Sequence, residues 1–258
     1  MNLARLFSMS VALLTILLCV GACRAGADVM IRERAVTMPT KVGDIEIAGT
    51  EDTVTIWLAH DRARKDRGDM SFIYNSKTRL VYTLFHKSKT YTVVTPEGVE
   101  VDDQGKSPYG TLSEGLTAMR KPPALKVVKT DSTIMRNGFL CRKYVLEENL
   151  DVPTVTGKTC ADLWATEEIT LDLGLYRAIK SANTRGLEYG GAEDSSMKRI
   201  RGFPVLLLSV STGTSDDYGT MTIEGREELL EFKEVKTPAG HFDVPRDYKL
   251  QHGATSGK

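Results

Sequence analysis

The chain has 258 residues, and its 34 Lys and Arg residues balance 34 Asp and Glu residues. Residues 1–27 contain Arg5 and Arg24 but no acid, so the body that follows carries 32 basic and 34 acidic residues. A nearly neutral body argues against a protein that binds nucleic acid through a basic stripe, and roughly 230 residues suffice for one large β domain or two smaller ones.

The N-terminus has the composition of an export signal. Met1–Arg5 is a short, positively charged start, and Leu6–Ala22 is an apolar run without charge or proline. These two parts, followed by small residues, are what an export translocon recognises. A retained membrane anchor is the alternative, but it normally needs about 20 strongly apolar residues, and this run is shorter and interrupted by hydroxyl residues. We therefore predict that residues 1–27 are a signal segment and that the mature chain is exported.

The end of this segment offers two cleavage sites. Ala25-Gly26-Ala27 is a small-x-small site that would release a chain starting at Asp28. Val20-Gly21-Ala22-Cys23 resembles the lipobox of bacterial lipoproteins, in which the cysteine accepts a diacylglycerol. We favour acylation of Cys23, which would anchor the protein to the outer membrane from the periplasm, since each buried methylene contributes about 0.8 kcal/mol. Cleavage after Ala27 would instead leave a soluble periplasmic protein.

The first half of the body consists of strand-like segments separated by short turns. Thr53–His60 places Val54, Ile56 and Leu58 on one face, which is the period-2 pattern of a half-buried strand. The run 61–69 mixes both charge signs and is predicted to be an exposed turn. The strands predicted in this half are 29–37, 44–48, 53–60, 70–74, 79–86 and 90–95.

Two helices interrupt the strands. Leu112, Leu116 and Met119 recur at i, i+4 and i+7, which predicts a short amphipathic helix ended by two prolines. A second helix is predicted over 173–182, with Leu175 and Ile179 on its apolar stripe. The remaining predicted strands are 125–135, 139–147, 159–169, 205–211, 219–235 and 242–250, with polar loops at 96–109 and 183–201. This order predicts a mainly β fold of the α+β type, in which one curved antiparallel sheet is covered on one face by the helices.

Two cysteines remain after the signal segment, Cys141 and Cys160. Exported proteins reach compartments that permit oxidation, so a disulfide between them is predicted. The alternative is a pair of buried free thiols. The stretch 149–158, which precedes the strand of Cys160, is interpreted as an insertion.

The sequence shows no recognisable catalytic or metal-binding motif. His60, His86, His241 and His252 lie far apart and lack the spacing of metal ligands. Neither a GxSxG, a P-loop nor an HExxH motif occurs, and no nucleophile–base pair can be recognised. The histidines are therefore interpreted as solvated or as lying at the core's edge, and we predict a noncatalytic protein without metal or cofactor.

A series of short motifs carries a family resemblance. They are Leu84–Thr92 (LFHKSKTYT), Asn137–Tyr144 (NGFLCRKY), Leu163–Ala165 (LWA), Gly202–Val205 (GFPV) and Phe242–Tyr248 (FDVPRDY). In this order the chain resembles an uncharacterised family of exported bacterial proteins related to the outer-membrane lipoprotein carriers, LolA-like and LolB-like. The resemblance implies one half-barrel domain over 28–250, unclosed and wrapped round an apolar cavity with helices as a lid, followed by a disordered tail at 251–258.

The expected function is binding of a lipid acyl chain or another apolar ligand, as a carrier or a sensor. The alternative is an envelope lipoprotein with a solid core that acts as a scaffold for a protein partner. Acylation at Cys23 would add contact with the membrane. The side chains predicted to line the cavity or its lid are Val54, Ile56, Leu58, Phe72, Tyr82, Leu84, Leu112, Leu116, Met119, Trp164, Leu175 and Ile179.

Overall fold

A computed structural model describes residues 27–42, 45–95, 100–101, 125–152, 155–181, 199–215 and 219–251. These ranges contain fifteen strands and one helix. The strands are β1 (Asp28–Thr37), β2 (Thr40–Val42), β3 (Ile45–Ile47), β4 (Thr50–Ala59), β5 (Arg62–Arg67), β6 (Met70–Asn75), β7 (Leu80–Phe85), β8 (Thr90–Val94), β9 (Glu100–Val101), β10 (Leu125–Arg136), β11 (Phe139–Val152), β12 (Val155–Thr166), β13 (Phe203–Ser215), β14 (Gly219–Val235) and β15 (Lys249–Leu250). The helix is α1 (Leu173–Ser181), and none of the described segments forms a helix long and apolar enough to cross a membrane.

Thirteen of the strands form one sheet. Its order is β10-β11-β12-β13-β14-β1-β4-β5-β6-β7-β8, and both β9 and β15 pair with β8. All pairs are antiparallel except β15 with β8, and β2 and β3 form a separate hairpin. The sheet is curved and does not close into a barrel, which confirms the predicted mainly β fold with an open antiparallel sheet. The other predicted helix, around Leu112–Met119, lies outside the described residues.

The mixed-charge run after β4 is a strand and not the exposed turn that was predicted. Residues 62–67 form β5, in which Ala63 and Lys65 are buried while Arg64 and Asp66 point to the other face. The Lys65 ammonium lies 4.9 Å from the centre of the Phe72 ring, so its aliphatic stem covers apolar surface. Gly68, at φ +53°, supplies the left-handed turn that leads into β6.

Helix α1 packs on one face of β5 and β6, which we call the inner face. Alternation along the strands puts Ile31, Ile56 and Phe72 on this face, and α1 contributes Leu175 and Ile179 to the same cluster. The helix begins after an Asp172 cap, because the carboxylate of that residue accepts hydrogen bonds from the backbone N–H groups of the second and third helical residues, at 2.8 and 3.0 Å.

The second half of the sheet consists of long hairpins. Strands β11 and β12 pair continuously, with Asn149 opposite Lys158, so residues 149–152 and 155–158 extend the two strands of one hairpin. This half has its own buried cluster. Its members are Leu125, Val127, Tyr144, Leu146, Ala161, Leu163, Ala165, Ile200 and Leu207.

Residues 236–251, which we call the C-terminal strap, cross the outer face of β4–β8. The His241 ring lies 4.6 Å from the Trp57 ring, between centres, in an edge-on arrangement. A strand was predicted over 242–250, but Lys249 and Leu250 alone are extended, and they pair with the edge strand β8. The short β15 therefore covers part of an edge that would otherwise present free backbone groups.

Candidate functional site

The inner face beneath α1 is mainly apolar. Ile56 and Ile179 are fully buried, and Phe72 is 1% exposed. The predicted lining residues that meet in this cluster are Val54, Ile56, Leu58, Phe72, Leu175 and Ile179. They meet because every second side chain of a strand points to the same face of the sheet, and side chains about 3.6 residues apart lie on the same face of a helix.

Two predicted lining residues lie on the other face of the sheet. Phe72 pairs with Thr83, so these two side chains share a face and the neighbours Tyr82 and Leu84 point away from it. Tyr82 packs beside Val93, outside the inner-face cluster. The assignment of Tyr82 and Leu84 to an inner cavity was therefore wrong.

One further predicted lining residue reaches this cluster. Trp164 lies at the margin of the inner-face cluster, with the Lys143 ammonium 5.8 Å from the centre of its ring. The predicted lid residues Leu112, Leu116 and Met119, and the acylation candidate Cys23, lie outside the described residues.

A group of polar side chains fastens α1 to the inner face. The Tyr176 hydroxyl donates to Glu33 Oε1 at 2.5 Å, and the Lys180 ammonium donates to Glu33 Oε2 at 2.9 Å and to Glu227 Oε2 at 2.8 Å. The ammonium of Lys65 donates in turn to the Lys180 carbonyl at 2.9 Å. We call Glu33, Tyr176, Lys180 and Glu227 the helix latch.

The latch compensates a buried carboxylate. Glu33 is 6% exposed, and a carboxylate in such surroundings is stable only when it is paired. Burial raises the pKa of Tyr176, and the Glu33 carboxylate raises it further, so the tyrosine keeps the proton that it donates. Burial opposes the charge of Lys180, but the carboxylates of Glu33 and Glu227 prevail and raise its pKa well above the usual range. In the sequence, this buried carboxylate could be recognised because Glu33 follows Val29 and Ile31 at the strand period of two, on the apolar face of β1.

On the outer face, Ser71 lies at the centre of a second hydrogen-bond network. Its hydroxyl donates to Asp66 Oδ1 at 2.5 Å and accepts from Arg64 Nη2 at 3.0 Å. His86 Nε2 lies 2.7 Å from the same oxygen, and His86 Nδ1 lies 2.7 Å from the Tyr248 hydroxyl. Because Ser71 donates to Asp66, the hydrogen bond between the serine oxygen and the imidazole is donated by Nε2, and Nδ1 shares the second hydrogen bond with the Tyr248 hydroxyl.

A hydroxyl beside an imidazole is also the starting arrangement of a serine nucleophile and its base. Ser71, however, is completely buried, and both its proton and its lone pairs are engaged. The network instead joins the sheet to the C-terminal strap, since Arg64 also donates to the His241 carbonyl at 2.8 Å. Sequence reasoning missed this pair because His86 and Ser71 meet only through the pairing of β6 with β7.

The two cysteines are free thiols, Cys141 buried and Cys160 exposed. Cys160 lies opposite Glu147 in the β11–β12 ladder, six residues from Cys141 along the strand. That separation is about 20 Å in a β-strand, whereas a disulfide requires Cα atoms within about 7 Å. The predicted disulfide is therefore not formed. Burial raises the pKa of the Cys141 thiol, and the Glu168 carboxylate adds to this effect.

Comparison with known proteins assigns no family. The chain matches no protein-family model, and no curated protein shows significant similarity to it. Within the ranges that the structure describes, no three His, Cys, Asp or Glu side chains are placed to hold a metal ion. The resemblance to outer-membrane lipoprotein carriers therefore stays a prediction, and the function must be argued from the inner face and the helix on it.

Proposed function

We propose that this protein is a noncatalytic cell-envelope protein that binds an acyl chain or another apolar ligand between the inner face of the sheet and helix α1. One observation carries the proposal. Helix α1 contacts the curved sheet through the buried side chains of Leu175, Tyr176 and Ile179, and Lys180 pairs with Glu33 and Glu227 of the sheet. A nine-residue helix held in this way can leave the sheet as a unit and uncover an apolar surface.

The energetics of exchange support a lid role for α1. Exposing a large aliphatic side chain such as Leu175 or Ile179 costs about 1.5–3 kcal/mol. An acyl chain bound on Ile56 and Phe72 would bury the apolar surface of the sheet that α1 had covered. The free energy of apolar burial is therefore nearly the same with the helix on the sheet as with the ligand on it. The helix latch then decides which state is favoured, because its ion pairs exist only when α1 is seated.

The anchoring of the protein determines its working mode. Acylation at Cys23 would tether the domain to the outer membrane as an acceptor or sensor of apolar ligands. Cleavage after Ala27 would release it into the periplasm as a carrier. A Cys23→Ser variant separates these modes, since loss of the protein from the membrane fraction is expected for the tethered form. Normal maturation with an unchanged distribution would contradict acylation.

Ligand binding can be measured directly. Delipidated protein lacking residues 1–27 should bind fluorescent fatty acids saturably, and Leu175→Asp should weaken that binding. Leu230→Asp is the matched control, because Leu230 is 42% exposed and lies away from α1. Far-UV circular dichroism reports whether the sheet is intact in both variants. Absence of binding across several lipid classes would contradict the proposal.

A second candidate function is a protein-interaction scaffold with a solid core. It is favoured by the β2–β3 hairpin, where Ile45 is 65% and Ile47 is 44% exposed. The hairpin is joined to β14 by the hydrogen bond from the Thr40 hydroxyl to the Thr222 carbonyl, and Met38, just before the hairpin, donates its N–H to the Glu224 carbonyl at 2.9 Å. For a scaffold, we expect no lipid in mass spectra of the purified protein, and Ile45→Ser should abolish partner capture without changing stability.

A further inference from the structure

Three arginines converge on one buried carboxylate, away from the inner face. Arg34 Nη2 lies 3.2 Å and Arg226 Nη2 lies 2.8 Å from Glu228 Oε2, and Arg136 donates to Glu228 Oε1. Glu228 is 6% exposed. We call these four residues the arginine cluster.

The cluster is assembled from three segments of the chain. Arg34 lies directly opposite Glu228 in the β1–β14 ladder, and Arg226 precedes Glu228 by two residues on the same face of β14. Arg136 comes from the end of β10, where the adjacent Asn137 side chain donates to the Leu229 carbonyl. Because Arg34 and Glu33 are neighbours in a strand, the cluster and the helix latch lie on opposite faces of the sheet.

The charges in the cluster do not balance. Three guanidinium groups face Glu228, and the further carboxylate of Glu51 lies 3.7 Å from Arg34 but is 63% exposed. Arginine does not lose its proton in proteins, so a surplus of positive charge persists at every relevant pH.

The three arginines also have N–H groups without an acceptor. Their side chains are about one-third exposed, at 38% for Arg34, 33% for Arg136 and 35% for Arg226. The Nε atom of each is buried, and none has a hydrogen-bond partner in the described part of the chain. An anion that enters between the three guanidinium groups would therefore meet N–H donors that Glu228 does not use.

We propose that the arginine cluster is a binding site for a phosphate group, either free or as part of a larger molecule such as a lipid headgroup. The guanidinium geometry matches phosphate oxygens in paired hydrogen bonds, and the surplus charge supplies the attraction. Glu228 acts as the internal anion that holds the three arginines together when no phosphate is bound. The site does not depend on an apolar ligand under α1, because the two lie on opposite faces.

Thermal unfolding of the protein without residues 1–27 tests this site, with inorganic phosphate compared with chloride at equal ionic strength. Wild-type protein should be stabilised saturably by phosphate. Arg226→Gln should weaken binding by about tenfold, which corresponds to the loss of one charge-assisted contact. Arg32→Gln is the matched control, because Arg32 pairs with Glu231 at the surface at 3.6 Å and should leave phosphate binding unchanged.

Glu228→Gln distinguishes a binding site from a purely structural clamp. The variant leaves three arginines without their carboxylate, so it should be destabilised in chloride, and phosphate should restore its stability and bind more tightly than to wild type. If phosphate stabilises neither wild type nor Glu228→Gln more than chloride does, the cluster is a clamp and the proposal is wrong.

The source of the phosphate is resolved by sedimentation with vesicles of phosphatidylglycerol and phosphatidylcholine. Vesicle binding that is lost in Arg226→Gln would support a lipid headgroup, while binding of inorganic phosphate alone would support a soluble phosphate compound. Leu175→Asp should leave phosphate binding unchanged, so failure of the apolar-ligand proposal and failure of this one can be told apart.

Discussion

Lys180→Met removes the ammonium that joins helix α1 to Glu33 and Glu227 but keeps a side chain that can pack along the same path. The Glu33 carboxylate then stays buried with the Tyr176 hydroxyl as its remaining latch partner. A buried charge without a counter-charge is unfavourable, so the variant should unfold more readily and its helix should leave the sheet more often.

The size of the effect follows from the exposure of each partner. Removing one member of a fully buried ion pair costs about 3–5 kcal/mol. The Glu33 side chain is 8% exposed, but that of Lys180 is 26% exposed, which lets water replace part of the lost contact. The pair with Glu227, which is 32% exposed, contributes about 1 kcal/mol at most. We therefore expect a loss of about 2–3 kcal/mol.

Urea unfolding followed by far-UV circular dichroism measures this loss as a lower midpoint at unchanged slope. Lys126→Met is the control, because Lys126 forms an exposed pair with Glu147 and should change stability by about 0.5 kcal/mol or less. Glu33→Gln combined with Lys180→Met removes both charges, so the double variant should cost about 1–3 kcal/mol less than the sum of the single changes. The role of the helix latch would be refuted if Lys180→Met lost no more stability than Lys126→Met. It would also be refuted if the losses of the two single variants added up to that of the double variant.

Three further outcomes are expected from the described contacts. In native protein a maleimide should label Cys160 and spare Cys141, which is buried and has a raised pKa, and equal labelling in mass spectra would contradict this. Burial raises the pKa of Glu228, but the hydrogen bonds from the three arginines of the cluster outweigh it, so the pKa of this carboxyl is lowered. The stability from Glu228 is therefore complete above its ordinary pKa of 4.5 and lost as pH falls through the lower folded value. In Glu228→Gln the free energy of unfolding should therefore fall less steeply as the pH is lowered below 4.5. The same steepness as in wild type would contradict the lowered pKa of Glu228. Tyr248→Phe removes a hydrogen bond of about 1 kcal/mol to His86, so limited trypsin digestion should cut the C-terminal strap faster than in wild type, and an equal rate would mean that the bond does not hold it.

Local patterns predicted the strands and helix α1 because they depend on near neighbours. Thr53–His60 alternates cleanly, and Leu175 and Ile179 share a helical stripe, so both segments were assigned correctly. Strand β5 was missed because arginine and lysine occupy most of its positions, and Lys65 is buried through its stem and its ring contact with Phe72. The charged residues of β5 thus concealed its alternation of buried and exposed side chains.

The contacts of the candidate site could not be predicted, because they depend on register between distant strands. Glu33 faces Leu229 only because the β1–β14 register shifts between Arg32 and Glu33. The register within the β11–β12 hairpin places Cys160 opposite Glu147 and so keeps the two thiols apart. No local pattern encodes a pairing between residues that lie about 200 positions apart in the chain.

The strand order has a consequence for how the chain acquires its structure. Strand β1 pairs with β4, and each strand from β4 to β7 and from β10 to β13 pairs with the next one along the chain, so each half of the sheet can form from local pairings. The pairing of β1 with β14 is the long-range step that unites the halves, and contacts of such sequence separation form slowly. During folding, one side of β1 therefore stays unpaired until β14 pairs with it. In that interval its edge, with Ile31 on the inner face, is the surface most exposed to wrong pairing.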